Sequence, residues 1–80
     1  MELSVSFRSI SVGNPDDLGA ELSRMATDET VYITATDFEQ MTGERLDEFS
    51  TTGRRIIGDI AAQSWCAIRM QHDRIFFTKK

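Results

Sequence analysis

Val31-Tyr32-Ile33-Thr34-Ala35-Thr36-Asp37-Phe38-Glu39 changes its periodicity part-way along, and that change decides the fold. Val31, Ile33 and Ala35 alternate with Tyr32 and Thr34, the spacing of a strand with one buried face. Thr36-Asp37-Phe38-Glu39 then has the form of a capping box. Thr36 is the cap, and Glu39 can reach back to it. A helix is therefore expected from Asp37. Phe38, Met41, Leu46, Phe49, Ile56 and Ile60 share one face if helix runs on to about Gln63. Gly43 and the run Ser50-Thr51-Thr52-Gly53 are weak helix formers. The segment 37–63 is either one long helix or two with a break, and the spacing fits both.

Upstream, Leu3, Val5 and Phe7 alternate with Ser4, Ser6 and Arg8, again a strand pattern. Ile10 and Val12 fall out of that phase, and a bulge near Arg8-Ser9 would restore the facing. Asn14-Pro15-Asp16-Asp17 is a helix start: a capping side chain, a proline suited to the first turn, and acids at the positive end of the helix. Leu18, Leu22 and Met25 continue it as one stripe, so a helix is expected from Pro15 to about Ala26. Thr27-Asp28-Glu29 reads as a turn. Downstream, Trp65 to Met70 and Ile75-Phe76-Phe77 read as two strands joined through Gln71-His72-Asp73-Arg74.

The expected fold is α+β in the order β-α-β-α(-α)-β-β, a single domain over residues 1–80. Two or three helices pack on one face of a small antiparallel sheet. Phe7, Leu18, Leu22, Ile33, Phe38, Phe49, Ile56, Ile60, Ile68 and Phe77 are expected to supply much of the core.

At 80 residues, with 40% hydrophobic and 28% charged side chains, the chain has the composition of one globular domain. It hides only about 60% of its unfolded surface, so its stability is marginal. Cys66 is the single cysteine, which excludes an internal disulfide and fits a reducing compartment. No apolar run approaches the roughly 20 residues of a membrane span. Met1-Glu2-Leu3-Ser4 lacks the basic start of a signal peptide. A cytoplasmic protein is expected.

The chain carries little catalytic or metal chemistry. Structural zinc takes about four Cys or His ligands, and Cys66 and His72 are the only two. A nucleophile needs a base within hydrogen-bond reach, and His72 is expected at a hairpin tip. The carboxylate pairs Asp16-Asp17 and Asp28-Glu29 are explained by a helix start and a turn. No glycine-rich phosphate motif is present. We expect no enzyme, no catalytic residue, no metal and no cofactor.

Charge is the informative feature. Residues 1–50 hold eleven acidic and three basic side chains, a balance of −8; residues 51–80 hold two acidic and six basic, a balance of +4. Asp37, Glu39, Glu44, Asp47 and Glu48 fall opposite the apolar stripe of their helix, and Asp16, Asp17 and Glu21 add to the first helix. Such carboxylates can compete for Lys- and Arg-built surfaces that hold nucleic-acid phosphates. The basic set is Arg54, Arg55, Arg69, Arg74, Lys79 and Lys80, which would give weak, salt-sensitive phosphate binding. Trp65 or Phe76 would add a stacking surface.

From residue 15 onward the element order resembles that of a winged helix. Thr36-Asp37-Phe38-Glu39-Gln40-Met41-Thr42-Gly43 looks like a second helix running into its turn glycine. Arg54 to Gln63 would lie in the third helix and Gln71-His72-Asp73-Arg74 at the wing tip. That resemblance implies a helix in the DNA major groove. Glu44, Asp47 and Glu48 directly after the turn depart from it, as does the extra leading strand. As a class, a short acidic chain without catalytic motifs is also similar to phage-encoded inhibitors of the anti-CRISPR type. That similarity implies a protein partner with a basic, nucleic-acid-handling surface, such as a CRISPR effector. The expected function is thus a protein-binding inhibitor or regulator that docks its acidic helical face in the host cytoplasm. The alternative is a winged-helix DNA-binding regulator, and a third reading is a subunit that self-associates through the C-terminal hairpin.

Overall fold

A computed structural model describes residues 7–47, 50–71 and 73–80. Residues 1–6, Glu48, Phe49 and His72, with the expectations that rest on them, lie outside the described residues. The described chain runs β1 (Arg8–Ser9), α1 (Pro15–Ser23), β2 (Thr30–Thr34), α2 (Ala35–Thr42), α3 (Thr51–Gln63), β3 (Cys66–Met70) and β4 (Arg74–Lys79). From Pro15 on, this is the helix, strand, helix, helix, strand, turn, strand order expected from the sequence.

The four strands form one sheet in the order β1-β2-β4-β3. β2 and β4 pair antiparallel, as do β3 and β4, whereas β1 lies parallel to β2. The sheet is therefore mixed rather than wholly antiparallel, because α1 serves as the crossover that a parallel pair requires. β1 pairs in unbroken register, Arg8 with Val31 and Ser9 with Tyr32, so the bulge expected near Arg8-Ser9 does not form. Simple alternation instead sends Phe7 to one face of the sheet and Ile10 to the other.

The stretch 37–63 is two helices. Gly43 ends α2 in the left-handed conformation (φ 74°), and its N–H donates to Glu39 O at 2.8 Å. The Ser50 hydroxyl closes the connection on the Arg45 carbonyl and accepts from Asp47 N instead of capping α3. The cap of α2 is Thr34 rather than Thr36. Its Oγ1 accepts from Asp37 N, which places Asp37 on the third helical residue and leaves Glu39 outside the cap. α1 stops at Ser23, short of the expected Ala26, where Arg24 N–H closes on Glu21 O and Leu22 O.

One side of the sheet carries Val31, Ile33, Ile75 and Phe77, fully buried against Leu18, Leu22, Phe38 and Ile57 from the three helices. Ile60 and Ile68 pack at the margin of this core. Phe7 and Ile56 were expected in it, yet Phe7 is 51% exposed and Ile56 37%. The break at Gly43 explains Ile56. α3 has its own phase, and Gly53, Ile57 and Ala61 point inward rather than Ile56, with Ile60 at the margin.

Candidate functional site

Register brings together residues that are far apart in sequence. Thr34 pairs with Arg74, and Ala35 N–H donates to Asp73 O at 2.9 Å, so the β3–β4 hairpin sits beside the start of α2. Glu39, Asp47 and Asp73 line one open cleft of about 420 Å³ there, over Ala35, Thr36 and Leu46. Arg45 is the only cation among the lining residues. Glu44 joins Arg45 and Asp47 around an adjoining hollow. Asp73 was not singled out in the sequence, because there it stands in the basic half; only the strand register reveals its acidic neighbours.

The other predicted acidic residues are dispersed. Asp37 is buried, at 9% exposure, and cannot meet a partner directly. Asp16 and Asp17 lie exposed at the start of α1, where Asp17 N and Oδ2 both bond Asn14. Glu21 pairs with Arg24 at 3.7 Å. Among the described residues Asp16, Asp17, Glu39 and Glu44 take part in no ion pair.

The basic residues do not share one surface. Arg54 and Arg55 belong to α3, on the helical side of the sheet, and Arg54 is half-buried with Nε unpartnered. Arg69 and Arg74 stand on the opposite, open face, paired across strands with Phe76 and Thr34. Lys79 points into the helical layer. Its Nζ donates to Leu22 O at 3.1 Å and Ser64 O at 2.7 Å, so it is unavailable to phosphate. Lys80 is exposed at the far end of β4. A DNA surface made of Arg54, Arg55, Arg69 and Arg74 together is therefore not formed. Trp65 is 74% exposed, in a left-handed turn (φ 58°) between α3 and β3, and lies outside the sheet.

No group of three or more His, Cys, Asp or Glu side chains is placed to hold a metal among the described residues. No described helix is long and apolar enough to cross a membrane. Burial pushes the Cys66 thiol above its ordinary value of 9.0, while Lys79 and Lys80 pull the other way. Because the folded form holds this proton more tightly, the linked stability is fully present below the unfolded value. It is lost as pH rises through the higher folded one. We expect Cys66 to react with a disulfide reagent at neutral pH only at the rate of unfolding. A fast reaction in the absence of denaturant would contradict this burial.

No protein family, curated protein or solved structure matches this chain.

Proposed function

We propose that the chain is a non-enzymatic binding domain that inhibits or regulates a protein partner by seating basic side chains of that partner in its acidic cleft. The observation that carries this reading is the convergence of Glu39, Asp47 and Asp73 on one open cleft walled by α2, the α2–α3 connection and the hairpin. A partner guanidinium entering it would meet carboxylates at the rim and the apolar floor of Ala35 and Leu46 beneath its stem. Three carboxylates against the single cation Arg45 leave the lining net negative, and such a bias speeds encounter and sets register. A protein that handles nucleic acid displays the required arginines and lysines. A CRISPR effector is such a partner, in keeping with the class resemblance to anti-CRISPR inhibitors.

The test is an isotope-edited titration with a short arginine-rich peptide, followed by capture of the partner from host lysate. Amide shifts are expected over residues 35–47 and at Asp73. Glu39→Lys with Asp73→Lys is expected to weaken peptide and partner binding by about ten-fold or more, mostly in the association rate, with the fold intact. Shifts confined to other parts of the chain, or an affinity unmoved by the double reversal, would remove the basis for this reading.

A further inference from the structure

We propose that the open face of the sheet is a second binding site, one that takes a single strand of nucleic acid. The face is defined by alternation. With Val31, Ile33, Ile75 and Phe77 turned toward the helices, Tyr32, Phe76, Arg69 and Arg74 point the other way. Among the described residues no element packs over them.

Three aromatic rings form a row there. Phe7 meets Phe76 edge-on with centroids 5.5 Å apart, and Phe76 meets Tyr32 at 5.3 Å. The Arg74 guanidinium lies 5.1 Å from the centre of the Tyr32 ring. Phe7 keeps half its surface in water and meets Phe76 on the face turned away from the helices, so this row is separate from the interior. Phe7, Phe76, Arg69, Gln71, Thr30 and Thr78 line a shallow groove of about 110 Å³ between the rings and the β3 edge.

Each feature selects the ligand. Ring faces on an open sheet stack on unpaired bases, as every base has a π-face, and a paired base cannot reach them. Arg69 and Arg74 flank the row and supply the charge for phosphates. The groove is well below the ~300–1,000 Å³ of small-molecule sites. A second copy is the competing occupant, and sedimentation of the unaltered chain and of Phe7→Ser distinguishes it from a nucleic-acid strand. Asp73, with one carboxylate oxygen 4.0 Å from Arg74 Nε, sits at the hairpin end of the face and limits how much charge the strand finds there. Binding is accordingly weak and salt-sensitive. Two phosphate contacts give a slope near −1.4 in log K against log salt, a loss of about seven-fold between about 50 and 200 mM.

The experiment is fluorescence anisotropy of labelled oligothymidylate and oligouridylate of about eight nucleotides, with the duplex of the same length as control. Both single strands are expected to bind the full chain and the duplex to bind far less. Phe7→Ser, a change at an exposed position outside every element, is expected to weaken binding about ten-fold. Arg69→Glu with Arg74→Glu is expected to abolish it. Glu39→Lys is expected to leave it unchanged, so this site and the acidic cleft can fail independently. Any of four results would overturn the proposal: no anisotropy change at low salt, equal affinity for duplex, indifference to Phe7→Ser, or a sedimenting dimer that Phe7→Ser dissociates.

Discussion

Gly53→Val should cost the domain about 3 kcal/mol, while Gly58→Ala in the same helix should add about 0.5–1 kcal/mol. The contrast isolates packing from helix propensity, since both changes favour helix over glycine. A β-carbon on Gly58 would meet nothing within 4 Å. One on Gly53 would lie 2.6 Å from Phe38 Cζ, 2.9 Å from Glu44 Oε1 and 3.2 Å from Thr42 Cβ. The Glu44 carboxylate can swing away. Phe38 cannot, because its side chain is fully buried, and Thr42 is held by its own hydroxyl on the Phe38 carbonyl at 2.8 Å. The only relief is to part α2 from α3, which opens the core beneath them. At roughly 0.05–0.15 kcal/mol per residue the domain holds on the order of 4–12 kcal/mol in total, so the loss is a large share. Urea unfolding followed by circular dichroism measures it. A Gly53→Val midpoint equal to that of the unaltered chain would mean the two helices do not meet at Gly53.

The reason for Gly53 also marks where sequence reasoning stops. Val31 to Phe38 announce strand and then helix through local spacing, and Leu18, Leu22, Ile33, Phe38 and Phe77 are core residues for that same local reason. Periodicity carried across Gly43 selects Ile56, but the chain restarts its helical phase at Thr51 and buries Ile57. Glycine at 43 is legible as a weak point, yet its left-handed conformation, which makes the break, is a choice between two states of similar local cost. The acidic residues were legible as a charge bias. Their sorting was not, because Asp73 reaches Glu39 only through the β2–β4 register, and Asp37 is removed from the surface by a cap two residues earlier than the capping-box pattern indicates. Phe7 and Phe76 alternate as core residues would, and only the position of the helices, all on one side, turns their face outward.

Lys79→Met is expected to lower stability by about 2 kcal/mol, whereas Lys80→Met, one residue on, should stay within about 0.5 kcal/mol. By sequence the two lysines are equivalent members of a basic tail. In the fold Lys79 is the last residue of β4 and Lys80 lies just beyond it. Lys80 is exposed, while Lys79 extends beneath the helical layer to the Leu22 and Ser64 carbonyls. These carbonyls lie at the C-terminal ends of α1 and α3, and neither helix has a basic residue in its last turn. One ammonium from β4 thus meets the negative ends of two helices. Leu22 O also accepts from Met25 N, but among the described residues Ser64 O has only the long Cys66 Sγ contact to fall back on. Methionine keeps the apolar stem and removes the donor, so its cost reports the hydrogen bonds rather than packing. The pair is compared by thermal and urea unfolding at low and high salt. The Lys79 effect should persist in salt, since a partly buried contact is poorly screened. If Lys79→Met proves no more harmful than Lys80→Met, the ammonium does not join the sheet to the two helices, and Lys79 returns to the solvent-facing basic set.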